Sequence, residues 1–89
     1  MKISNKFKVV VKNDTAFLLK SNMRGDVLYH GEGIGNDILL AIHAHNSSLE
    51  DLLEALKKTY CDVPAEIIEN DVKEFVSDLI SEGIVEDKI

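Results

Sequence analysis

The order of periodicities along the chain constrains its fold more than any single motif. A front third alternates at the period of strands, and two amphipathic helical segments of uneven length follow it. Ser47 to Asp87 reads SSLEDLLEALKKTYCDVPAEIIENDVKEFVSDLISEGIVED, with apolar residues recurring every three or four positions on either side of a Val-Pro turn. A small meander followed by helices predicts an α+β domain whose sheet keeps an open edge. With 89 residues and 45% apolar content, the chain suits one domain over 1–89 with one core, and residues 1–5 are a candidate disordered start.

Lys6 to Lys12 places Phe7, Val9 and Val11 on one face and Lys8 and Lys12 on the other, the pattern of a half-buried strand. Asn13-Asp14 is a tight turn, Thr15 to Ser21 a second strand, Asn22-Met23-Arg24-Gly25 a hairpin loop, and Asp26 to His30 a third strand. Three strands cannot close into a barrel, so an edge remains for blunting or for pairing with a partner. Val27, Leu28 and Tyr29 form that edge without a proline.

The first helix is expected from about Asp37 to His45, capped by Asn36 or Asp37 and stopped by a left-handed Asn46. Ser47 with Glu50 forms a capping box for the second helix, which buries Leu49, Leu52, Leu53 and Leu56. Pro64 opens the third, and Gly83 closes it with Ile84 folding back on Leu79. Its apolar face of Ile68, Val72, Phe75, Val76, Leu79 and Ile80 is wider than one core contact needs. Val72 and Val76 are expected at the outer edge of that face, with Phe75 and Leu79 deeper. The order suggests a winged-helix-like module, with a three-stranded antiparallel sheet followed by three helices.

Charge is divided unevenly. Residues 1–24 carry six cations against Asp14 alone, while residues 25–89 carry fifteen carboxylates against four lysines. Asp62 to Glu82 holds seven carboxylates and one lysine, so a DNA-binding winged helix, the natural alternative on fold grounds, would place an acidic recognition helix against phosphate. A nucleic-acid partner is not expected.

Catalytic and cofactor chemistry find little footing. The glycines of His30-Gly31-Glu32-Gly33-Ile34-Gly35 match neither a dinucleotide fingerprint nor a Walker loop. His43 and His45 lie two apart, about 200° around a helix, and do not share a metal. Cys61 is alone, beside Asp62, and neither a disulfide nor a nucleophile is expected. No cofactor, metal or enzymatic activity is expected. The charged start MKISNKFK lacks a secretory apolar stretch, and no run approaches the roughly 18 apolar residues of a membrane span. The expected setting is the cytoplasm, away from membranes.

The hairpin AFLLKSNMRGDVLY, the helix IGNDILLAI, the segment SLEDLLEAL and the ending DVKEFVSDLISEGIVED together resemble the PqqD-like proteins, also called RiPP recognition elements, over roughly Ala16 to Asp87. One departure is Gly31-Glu32-Gly33, where the family has an apolar residue and an Asn before its helix-one glycine. The resemblance implies an α+β winged helix-turn-helix fold of three strands and three helices that captures the leader segment of a ribosomally made precursor peptide, added as a strand to the third strand beside the third helix. Peptide contacts are then expected at Asp26, Val27, Leu28, Tyr29 and His30 and at Glu69, Val72, Lys73 and Val76, with Glu74 adding charge. It also implies delivery to a separate radical-SAM enzyme, leader protease or cyclase. The open edge permits either a monomer or a strand-exchanged dimer.

Overall fold

A computed structural model of the chain describes residues 1–21 and 27–87. The hairpin loop expected at Asn22 to Gly25, and Asp26 with it, lie outside the described residues. The elements are β1 (Lys2–Ile3), β2 (Phe7–Lys12), β3 (Thr15–Lys20), β4 (Val27–His30), α1 (Gly33–His45), α2 (Leu49–Thr59), α3 (Ala65–Ser81) and β5 (Val85–Glu86). The α+β winged helix-turn-helix expectation holds: β2, β3 and β4 form an antiparallel sheet in that order, followed by three helices.

Asn13 (φ 51°) and Asp14 (φ 61°) supply the two left-handed residues that a tight hairpin needs, which sets Val10 opposite Phe17 and Val9 opposite Leu18. The opposite face carries the exposed Lys8 and Val10 and the half-buried Phe17 and Leu19, since successive side chains of a strand alternate between faces.

β1 and β5 form a second, two-stranded sheet in which Lys2 pairs with Glu86 and Ile3 with Val85. Residues 1–5, a candidate disordered start in the sequence, carry β1 in the structure. Ser4 N–H donates to the Ile84 carbonyl at 2.8 Å and the Met1 ammonium reaches the carbonyls of Asn46 and Ser47, so this segment is tied to both ends of the helical layer. Two-residue strands have no periodicity to read, which is why the pattern of the sequence missed them.

The helix starts differ from expectation by a few residues, each for a local reason. α1 begins at Gly33, a turn before Asp37, because Asn36 is engaged elsewhere. Its Oδ1 accepts from Ala16 N–H at 2.8 Å and its Nδ2 donates to the Asp14 carbonyl at 2.9 Å, so it secures β3 and does not cap the helix. α2 is capped by Ser48, whose hydroxyl accepts from Asp51 N–H at 3.1 Å, while the Ser47 hydroxyl donates back to the Ala41 carbonyl. Asn46 (φ 50°) ends α1 as expected. Gly83 (φ 75°) ends α3, and Ile84 N–H donates to the Leu79 carbonyl at 2.9 Å.

The core lies between the inner face of the sheet and the three helices. Leu18, Ile38, Leu39, Ile42, Leu52 and Val72 are its largest fully buried side chains. Each such burial contributes about 1.5–3 kcal/mol. This packing holds α3 beside β4 without covering the edge of the sheet.

Candidate functional site: an open strand edge beside the third helix

β4 is four residues long and pairs only with β3, so its other side is unpaired among the described residues. Gly31 N–H donates to the Ala16 carbonyl at 2.7 Å. Because an antiparallel ladder alternates, the peptide groups of His30 then point away from β3, toward the open edge. The strand is not regular. Leu18 faces Tyr29 but Leu19 faces Val27, which leaves Leu28 as the extra residue of a β-bulge. Neighbours on a straight strand point to opposite faces, whereas here Leu28 and Tyr29 both line one groove.

That groove, of about 740 Å³, runs between β4 and α3 over the mouth of the sheet. Leu28, Tyr29 and Phe7 form its sheet side, Phe75, Asp78, Leu79 and Glu82 its helix side, and Leu18 and Ile84 close it beneath. Tyr29 and Phe75 meet across it with ring centroids 5.8 Å apart and planes at 52°, a tilted aromatic pair. Gly35 on α1 makes room for them. A Cβ at that position would stand 2.6 Å from the Tyr29 hydroxyl oxygen and 3.1 Å from two Phe75 ring carbons. Leu28, 48% exposed, is an apolar side chain held open at the rim.

The third-helix residues expected to meet a peptide are elsewhere. Val72 is 0% and Val76 4% exposed, both within the core and not at the outer edge of the face, and Phe75 is the side chain that lines the groove. Adjacent positions on a helix differ by about 100°, enough to turn Phe75 toward the sheet while Val76 packs among the helices. Glu69 pairs with Lys57 of α2, and Lys73 lines a small hollow with Leu49, Val76 and Ile80; both lie on the α2 side of α3. Glu74 does not line the groove either. Leu79 does, and also belongs to the core, so its expected depth is only partly matched. Among the strand residues, Leu28 and Tyr29 face the groove. His30 turns its ring the other way, stacked on Phe17 at 6.2 Å, with Nε2 3.3 Å from the Glu32 carboxylate. Val27, opposite Leu19, shares that outward side.

The groove is acidic at its helical wall, where the exposed Asp78 and Glu82 stand, with Lys20 facing them from β3. Elsewhere two polar contacts brace the helices. Tyr60 donates its hydroxyl to the Asp37 carboxylate, and this bond, with some burial and the nearby negative charge, raises the phenol above its ordinary pKa. Lys57 donates to Glu69, and that bond and charge lower the Glu69 carboxyl below its ordinary pKa. Among the described residues no cluster of His, Cys, Asp or Glu could hold a metal ion, and no helix is long and apolar enough to cross a membrane.

An open strand beside an apolar groove on a winged helix-turn-helix defines a class of small domain suited to holding extended peptide. The sequence profile of the family described as coenzyme PQQ synthesis protein D (PqqD) matches residues 21–85, and the chain belongs to that family. None of the curated proteins compared with the chain matches it. Among solved structures, TbiB1 in complex with the TbiA(beta) leader peptide is similar, with a TM-score of 0.78 and 21% identity over 100% of this chain and 99% of that one. At that identity the likeness speaks for the fold.

Proposed function

We propose that the protein binds the leader segment of a ribosomally synthesised precursor peptide and presents it to a separate modifying enzyme, such as a radical-SAM enzyme, a leader protease or a cyclase. The leader adds to the open edge of β4 as an antiparallel strand. Main-chain hydrogen bonds to His30 and its neighbours give affinity, and alternate leader side chains descend between Leu28, Tyr29, Phe75 and Leu79 and give specificity. The observation that carries this reading is the bulge at Leu28, which turns two consecutive side chains of an unpaired strand into the groove. Membership of the PqqD family and the likeness to TbiB1, a protein solved with a leader peptide, support it.

The domain itself does no chemistry in this scheme. Its contribution is to hold the leader extended and in register while the rest of the precursor reaches the enzyme. Asp78 and Glu82 favour a leader with basic residues next to its apolar anchors, since complementary charge orients a partner and raises its association rate. Titration with the leader of a neighbouring precursor gene tests the reading. Amide shifts are expected at Leu28, His30, Phe75 and Leu79, with micromolar or tighter affinity; shifts confined to α2 would exclude it.

A further inference from the structure

The sheet has a second face that the groove does not use. Val9, Leu18 and Tyr29 form a cross-strand row toward the helices, so the rows Lys8–Leu19–Val27 and Val10–Phe17–His30 look the opposite way. Val10 is 44% and Val27 50% exposed. Phe17 and Leu19 are half-buried but lie outside the core cluster, sheltered by the sheet itself. Four apolar side chains are thus contiguous on a surface that no helix covers among the described residues.

The rim of this patch is cationic on a chain of net charge −6. Lys8 and Lys12 stand exposed on the same face of β2, and among the described residues neither is in an ion pair. Among the described residues, Asp14 at the hairpin turn and Glu32, 3.3 Å from His30, are carboxylates at its border. An apolar centre with unpaired lysines along one side is complementary to a surface that is apolar in the middle and acidic at its edge. Another copy of so acidic a chain meets net repulsion on approach.

β4 belongs to both faces. Leu28 and Tyr29 turn into the groove while Val27 and His30 turn outward, so a protein seated on the outer face rests against the strand that the leader would pair with. We infer that this outer face, centred on Val10 and Phe17 and edged by Lys8 and Lys12, docks an acidic, apolar-centred surface of the enzyme that acts on the precursor peptide. The inference rests on the leader-binding reading. It separates two tasks spatially: the groove and edge take the peptide, and the back of the same sheet takes the enzyme.

Two variants test it, Val10→Asp and the pair Lys8→Glu with Lys12→Glu, each titrated against the leader peptide and against the purified modifying enzyme encoded beside the precursor gene. The substituted positions are exposed, and circular dichroism melts check that folding is kept. The expected result is unchanged leader affinity with enzyme affinity reduced about tenfold or more in both variants. Unchanged enzyme affinity in the variants, or no binding of the enzyme by the wild type, overturns the inference. So does sedimentation showing that the wild type self-associates and that Val10→Asp makes it monomeric, which would assign the face to a second copy. The leader titration of the wild type alone judges the leader-binding reading, so the two failures are told apart.

Discussion

Tyr29 and Phe75 face each other across the groove, their rings 5.8 Å apart, and through them the open edge of the sheet is coupled to the third helix. One residue comes from the bulged strand, the other from the middle of α3. The pair is half-buried and sits where an incoming peptide would meet it, so it divides its contribution between stability and binding.

Phe75→Ala should weaken leader binding by about tenfold or more, with a stability cost of about 1–3 kcal/mol, below that of a fully buried aromatic. Val72→Asp should behave oppositely. It places an unpaired charge in the core, against a total stability of only about 5–15 kcal/mol, and should unfold the domain. Thermal melts paired with a peptide titration check both; a folded Val72→Asp protein that has lost only peptide binding would restore the opposite orientation of α3.

Gly35→Ala offers a second test of the same contact. Alanine is favoured over glycine in a helix by about 1 kcal/mol, but the new methyl would press on the Tyr29 hydroxyl and the Phe75 ring, an overpacking cost of about 1–3 kcal/mol. Net destabilisation is expected. In a Tyr29→Phe background the nearest clashing atom is gone, so urea unfolding should show a smaller cost there; equal costs in the two backgrounds would mean that the hydroxyl is not the obstacle.

Affinity for a leader bearing Lys or Arg beside its anchors should fall as salt rises from about 50 to about 500 mM, because the rim charges are exposed and screened. Asp78→Asn combined with Glu82→Gln should flatten that dependence. Isothermal titration at several ionic strengths would reveal whether these two carboxylates, rather than the overall charge, set the slope.

The Tyr60–Asp37 bond predicts a loss of stability at high pH. Tyr60 holds its proton more tightly folded than unfolded, so the stabilisation is complete below the unfolded value of 10.0 and is lost as pH rises from there through the raised folded value. Between about pH 8 and about pH 11, the melting curve of the wild type should run above and parallel to that of Tyr60→Phe at first, and the gap should close only in the alkaline range. Parallel curves throughout would show that the phenol does not titrate against Asp37.

The strand and helix periods, the Asn46 and Gly83 stops and the antiparallel order were all legible in the chain because each is a local signal. The orientation of α3 was not. Phe75 and Val76 are neighbours of similar hydrophobicity, and nothing in the pattern says which of two adjacent apolar residues turns to the sheet and which to the other helices. The stripe Phe75, Asp78, Leu79 and Glu82, at helical spacing and alternating apolar residues with carboxylates, is the signal that would have found the groove. The β4 bulge was equally hidden, since an extra residue in one strand depends on where its partner stands. Asn36 shows the same limit: a side chain read as a helix cap is taken by a strand twenty residues earlier.

The bulge at Leu28 has a bearing on how such a domain survives at high concentration. An unpaired strand invites its own kind, and stacks of straight, matching edges grow into fibres. A run of four residues with a register shift inside it offers too little regular backbone for one sheet to template the next. The irregularity that opens two side chains to a guest also makes the edge a poor seed for endless addition, leaving it fit for a single short visitor.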